Sequence, residues 1–140
     1  MSKLEMANTD SKPYTEAWLS GFDNHQFYTR SWPAANPKAA VLFVHGFADH
    51  ISRYDHVHSA FAPRGIALFA YDLQGFGRTA LDEEHRSPGV AYGETNRELE
   101  LADVEYWLKH LARLYAGVPL FLMTYSAVRA SIARASRGSH

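Results

Sequence analysis

Three short stretches of uninterrupted apolar residues constrain the fold of this chain more than any other feature. They occupy Ala39–Val44, Gly65–Tyr71 and Val118–Met123. A strand with one face in solvent alternates apolar and polar residues, whereas a strand buried on both faces reads as a continuous apolar run. Such strands are typical of a parallel sheet covered by helices. Because a buried helical turn can show the same pattern, the segments between the runs must decide.

Those intervening segments have the periodicity of helices. Between residues 52 and 62, apolar residues recur at helical spacing, and Ser52 with Asp55 forms a plausible capping pair. A second helix is predicted to begin at Thr95, whose hydroxyl forms a capping box with Glu98. The predicted apolar stripe of this second helix consists of Leu101, Val104, Leu108, Leu111 and Tyr115. Its polar residues, which are expected to face elsewhere, are Asp103, Glu105, Lys109 and Arg113. Strands alternating with helices predict an α/β fold.

The regions that flank these elements differ from them in composition. Aromatic residues between positions 14 and 32 predict two strands of an edge hairpin, with Gly21, Asp23 and Asn24 in the turn. Residues 1–13 are polar and patternless and are expected to form a disordered leader, followed by one domain over residues 14–127. Residues 128–140 hold three arginines and no acidic side chain. This atypical basic tail leads to the hypothesis of a shifted reading frame or a mis-spliced end.

Composition excludes several classes of function. The 14 basic and 15 acidic side chains nearly cancel, so no electrostatic footprint favours nucleic acid or an anionic membrane. The chain has no cysteine, which excludes disulfide scaffolds and thiolate metal sites. No apolar run approaches the roughly 18 residues of a transmembrane helix, and no signal peptide is evident. We therefore expect a cytoplasmic protein, for which peripheral contact with a membrane or lipid droplet stays possible.

Chemistry is expected at the carboxyl ends of the buried strands, where α/β sheets place their sites. Loops 45–50 and 72–79 follow the first two apolar runs, and Ser126 closely follows the third. A serine between a buried strand and a segment compatible with a helix suggests a nucleophile elbow, in which a sharp turn exposes the hydroxyl. Backbone N–H groups behind such a turn can bind an oxyanion. Ser126 could also serve simply as a helix N-cap.

These motifs resemble the N-terminal half of an α/β-hydrolase, in the branch of monoacylglycerol lipases and lysophospholipases that is often called serine aminopeptidase-like. The matching segments are 41–46, Asp49-His50 with Arg53-Tyr54, 69–72 with Gly75-Phe76-Gly77, and 119–123. The resemblance covers residues 14–127 and implies a partial α/β-hydrolase fold that is truncated after the nucleophile-elbow strand. It also implies a serine ester hydrolase acting on a small-molecule lipid ester, without a cofactor or metal.

Three positions are carried over from this resemblance. Ser126 matches the nucleophile, and Phe47 and Ala127 match the residues whose backbone N–H groups form the oxyanion hole. The family's acid and catalytic histidine lie further along, so neither is assigned in these 140 residues. The two glycines of the usual elbow are replaced by the β-branched Thr124 and Val128. We therefore expect little or no activity, and a non-catalytic truncated homologue is the alternative.

Two other chemistries are considered. His45, Asp49 and His50 resemble part of a metallohydrolase cluster, but Phe47 stands where a second histidine ligand would be needed. Gly75-Phe76-Gly77 followed by Ala80 imitates a dinucleotide fingerprint, which must open a helix. A polar loop is expected after this motif instead, and no cofactor is predicted.

Overall fold

The computed structural model describes residues 12–124, which form one five-stranded mixed sheet flanked by helices. The spatial order of the strands is β1-β2-β4-β3-β5. β3, β4 and β5 run parallel to one another, while β2 is antiparallel to both β1 and β4. The strands are β1 (Thr15–Ser20), β2 (Gln26–Trp32), β3 (Ala39–Val44), β4 (Ile66–Tyr71) and β5 (Leu120–Thr124). The helices are α1 (Asp55–His58), α2 (Gly77–Leu81) and α3 (Arg97–Leu114).

The three apolar runs form the parallel part of the sheet, as the sequence predicts. Alternate side chains of β3 enter different cores: Leu42 and Val44 pack on the α3 side, whereas Val41 and Phe43 pack on the opposite side. Both faces of this strand are therefore covered, which explains why its sequence shows no polar alternation. β1 and β2 form the expected edge hairpin, with a short 3-10 turn at Phe22–Asn24 between them.

The segment after β3 is more broken than its periodicity predicts. A 3-10 turn at Ile51–Tyr54 leads into the single turn of α1, and a second 3-10 turn follows at Ala62–Arg64. The predicted capping pair is wrong, because the Asp55 carboxylate binds the buried guanidinium of Arg30 on β2 instead of capping a helix. A partner on a distant strand thus overrides the local pattern.

The long helix α3 forms as predicted, but its cap and its buried face differ in detail. Asn96, not Thr95, is the N-cap, and its side-chain oxygen accepts a hydrogen bond from the Leu99 N–H at 2.9 Å. Trp107 packs in the core on the α3 side of the sheet. Asp103 is fully buried although it was predicted to face elsewhere. The solvent-facing pair Glu105–Lys109 is present with an N–O distance of 2.9 Å.

The remaining sequence expectations concern the chain ends and membranes. The atypical tail and nearly all of the predicted leader lie outside the described residues. Between residues 12 and 124, no helix combines the length and apolar character that crossing a bilayer requires.

Candidate active site

Strand register brings three chain segments to one edge of the sheet. In the parallel ladder, Val44 lies opposite Tyr71 on one side and opposite Thr124 on the other. The loops that follow β3 and β4 therefore start side by side, and β5 ends beside them. This edge is the carboxyl end of the parallel strands, where α/β sheets place their ligands.

His45 connects two of these loops from inside the protein. Its side chain is completely buried. The Nε2 atom lies 2.9 Å from the Leu73 N–H nitrogen, and the Nδ1 atom lies 2.8 Å from the Gly46 carbonyl oxygen. Burial lowers the pKa of this imidazole below its ordinary value. Because both ring nitrogens have protein partners, His45 is not free to serve as the first ligand of the metallohydrolase cluster.

The other members of that cluster are also engaged. The Asp49 carboxylate accepts hydrogen bonds from the Tyr54 hydroxyl and from the His50 N–H. Arg53 adds an ion pair with Asp49 at 3.6 Å. Among residues 12–124, no group of three or more histidine or acidic side chains is arranged to hold a metal ion.

Phe47 contributes both a backbone N–H and an aromatic ring to this edge of the sheet. Its N–H donates to no acceptor within the described part of the chain. Its ring is 67% exposed and packs edge-on against Phe76, with 5.1 Å between ring centroids. Phe76 in turn meets the exposed ring of Tyr92 at 5.5 Å. An amide donor that has no acceptor among residues 12–124 therefore lies beside an aromatic surface at the sheet edge.

Asp72 organises the loop after β4. It is completely buried, and its two oxygens accept the N–H groups of Ile51 at 2.8 Å and Arg78 at 2.9 Å. Burial raises the pKa of this carboxyl above its ordinary value, although both amides act in the opposite direction. These contacts give Asp72 a structural role in the loop.

The structure also explains the glycines of the Gly75-Phe76-Gly77 motif. Gly77 adopts φ 53°, and a Cβ there would lie 2.4 Å from the Asp72 carboxyl carbon. A short helix, α2, does begin at Gly77, where a polar loop was expected. At the start of this helix, Gly77 packs against Asp72 of the same loop. The missing side chain at Gly77 therefore makes room for a residue of the protein itself.

A buried acid on α3 was missed by the sequence reading. Asp103 receives a hydrogen bond from the Gln74 side chain at 3.2 Å, and its other oxygen has no partner within residues 12–124. Burial raises its pKa to about 7. Asp103 directly precedes Val104 and lies four residues before Trp107, so its position within the buried arc was readable from helical spacing.

Two of the three predicted site residues, Ser126 and Ala127, lie outside the described residues. The structure therefore places Phe47 directly, and it places the strand that leads to Ser126 as far as Thr124.

Comparison with known proteins assigns this arrangement to a family. The family model described as serine aminopeptidase, S33, matches residues 35–127. The chain belongs to this family. The matched range contains the parallel strands and both loops of the candidate site, so the resemblance inferred from the motifs is confirmed.

Individual relatives agree with this assignment. The monoglyceride lipase homolog of monkeypox virus is 30% identical over 109 residues, covering 77% of this chain and 37% of the relative. Mouse monoglyceride lipase is 27% identical over 109 residues, covering 77% of this chain and 33% of the relative. A crystal structure of a soluble variant of monoglyceride lipase from Saccharomyces cerevisiae, in complex with a substrate analog, superimposes with a TM-score of 0.68 and 26% identity. That match covers 84% of this chain and 36% of the yeast chain.

The comparisons identify the class of the protein and the share of its relatives that the chain matches. It is a monoglyceride-lipase-like member of the S33 family, and its fold is a partial α/β-hydrolase fold. The chain spans between 33% and 37% of the length of the relatives named above.

Proposed function

We propose that this chain carries the nucleophile and the oxyanion-binding amides of a serine ester hydrolase. One observation carries the proposal: the register pair Val44–Thr124 places the ends of β3 and β5 side by side at the ligand-binding edge of the sheet. Phe47 follows Val44 by three residues, and its N–H has no acceptor in the described part of the chain. Ser126 follows Thr124 by two residues.

The roles follow from the chemistry of acyl transfer. The Ser126 oxygen bonds to the ester carbonyl carbon, and the carbonyl electron pair moves onto oxygen. The N–H groups of Phe47 and Ala127 stabilise that oxyanion. The serine proton passes to a histidine base, which then protonates the departing alcohol. Water releases the acyl group in a second, equivalent step.

We further propose a lipid ester as the substrate, such as a monoacylglycerol or a lysophospholipid. The names of the monkeypox and mouse relatives support this class. The exposed rings of Phe47 and Tyr92 beside the Phe47 amide offer an apolar surface for an acyl chain. A cytoplasmic location with peripheral lipid contact agrees with this substrate.

One feature of the chain favours slow chemistry. Thr124 and Val128 occupy the glycine positions of the elbow, where a Cβ crowds the turn. The second candidate function, a non-catalytic homologue, is favoured by the same two positions.

Labelling with a fluorophosphonate probe tests the proposal, because the probe forms a covalent bond with an activated serine. We expect slow labelling of the wild-type chain and none of Ser126→Ala. Ser52→Ala is the matched control, since Ser52 lines a cavity of about 330 Å³ with Asp72 at the same sheet edge.

The alternatives give different results. Folded wild-type protein that takes up no probe would support the non-catalytic homologue. Labelling that survives in Ser126→Ala but is lost in Ser52→Ala would move the nucleophile to another loop.

A further inference from the structure

The hydrogen bonds of His45 define its protonation state. The Leu73 N–H can only donate, so the Nε2 atom, 2.9 Å away, must accept. The ring proton therefore resides on Nδ1, which donates to the Gly46 carbonyl at 2.8 Å. A neutral ring is required for this pair of bonds, and complete burial favours it.

The Gly46 carbonyl belongs to the same peptide group as the Phe47 N–H. A peptide group is planar and trans, so its C=O and N–H point in opposite directions. When His45 holds the carbonyl toward the protein interior, the Phe47 N–H is directed away from the imidazole. The finding that this N–H has no acceptor within residues 12–124 agrees with that direction.

We propose that His45 is a positioning residue, which fixes the direction of the Phe47 N–H so that it can bind the oxyanion of an ester substrate. The proposal rests on the proposed function for the role of Phe47. Among residues 12–124, the bond from the imidazole is the only hydrogen bond to this peptide group, and the next residues, Phe47 and Ala48, are exposed. The bond to Leu73 connects the group to the loop after β4 and so anchors the ring itself.

Two substitutions separate positioning from mere structural support. The amide nitrogen of asparagine can reach the position of Nδ1, so His45→Asn keeps a donor for the Gly46 carbonyl and loses the acceptor for Leu73. Glutamine reaches the position of Nε2, so His45→Gln keeps the acceptor for Leu73 and loses the donor. Each variant therefore removes one buried hydrogen bond, and we expect similar losses of thermal stability.

The two variants are expected to differ in reactivity. Measured as the rate of fluorophosphonate labelling at Ser126, His45→Gln is expected to fall on the order of 100-fold, as when one oxyanion donor is removed. His45→Asn is expected to stay close to the wild-type rate. Equal losses in both variants, in proportion to their melting temperatures, would overturn the proposal.

A second readout does not require a reactive serine. In NMR spectra of ¹⁵N-labelled protein, the His45 ring proton is expected on Nδ1, and the Phe47 amide signal should move in His45→Gln but not in His45→Asn. If the wild-type chain takes up no probe, the proposed function fails while this measurement still decides the positioning role. A proton on Nε2, or a Phe47 amide that is indifferent to both variants, would refute it.

Discussion

Replacing Gly77 by alanine is expected to cost far more stability than the same change at Gly89. Both glycines have positive φ angles, 53° at Gly77 and 75° at Gly89, so both substitutions impose a left-handed conformation on alanine. They differ in what the new methyl group meets. At Gly89 it meets nothing within 4 Å, whereas at Gly77 it would lie 2.4 Å from both the carboxyl carbon and one oxygen of Asp72.

The size of the difference follows from the contacts of Asp72. The left-handed conformation alone costs an alanine about 1 kcal/mol. The Asp72 carboxylate cannot move aside freely, because its oxygens accept the N–H groups of Ile51 and Arg78. A hydrogen bond to a charged group contributes about 1.5–3 kcal/mol. Losing one of them brings the expected cost of Gly77→Ala to about 2.5–4 kcal/mol, against about 1 kcal/mol for Gly89→Ala.

Urea denaturation at neutral pH, followed by tryptophan fluorescence, measures both free energies of unfolding. Gly89→Ala serves as the matched control, because it carries the backbone cost without the contact. Equal losses of stability in the two variants would refute the reasoning. They would show that the loop after β4 relaxes around the methyl group without giving up a bond to Asp72.

Three further predictions concern polar groups of the two cores and the helix cap. Burial lowers the pKa of His58 to about 4, so the unfolded chain binds more protons than the folded chain between pH 6.5 and 4. The free energy of unfolding should therefore fall by about 3 kcal/mol as the pH is lowered over this range. A His58→Leu variant whose free energy of unfolding falls as steeply with pH would contradict this prediction. The raised pKa of Asp103, about 7, acts in the opposite sense, because the folded chain binds more protons than the unfolded chain between pH 4 and 7. The free energy of unfolding should therefore fall as the pH rises over this range. In urea denaturation repeated at increasing pH, Asp103→Asn should become more stable relative to the wild type. Asn96→Ala should cost about 1 kcal/mol in urea denaturation, because it removes the acceptor for Leu99. Thr95→Ala should cost less, since the Thr95 hydroxyl has no partner within residues 12–124; a larger loss at Thr95 would restore the capping box predicted from the sequence.

The sequence was sufficient to predict the parallel strands, because continuous apolar runs indicate them directly. The run Ala39–Val44 matches β3 in full, and Gly65–Tyr71 exceeds β4 by one residue. The third run predicted a strand over Val118–Met123, and the strand forms two residues later at its start and one later at its end. Continuous apolar character identifies β3 and β4 because both faces of each strand are buried, which leaves no position for a polar residue. β5 is equally apolar in sequence, although Phe121 on it is 58% exposed.

The candidate site was also predicted only in part from the sequence. The order of its motifs identified the family and pointed to Phe47, Ser126 and Ala127, and the family assignment is confirmed over residues 35–127. Nothing in the spacing of residues showed that His45 bonds to Leu73, 28 positions away, or that its proton resides on Nδ1. The roles of Ser126 and Ala127 stay predictions, since both residues lie outside the described part of the chain.

The sequence by itself determined the parallel strands, the hairpin before them and the long helix, since each follows from the periodicity of neighbouring side chains. Tertiary structure alone decided which polar group each buried side chain meets. Asp55 pairs with Arg30 instead of capping a helix. Asp72 accepts hydrogen bonds from the N–H groups of Ile51 and Arg78. The physical reason is that a buried charge or donor must find a partner wherever the fold brings one, and the sheet brings together residues that are far apart in the chain.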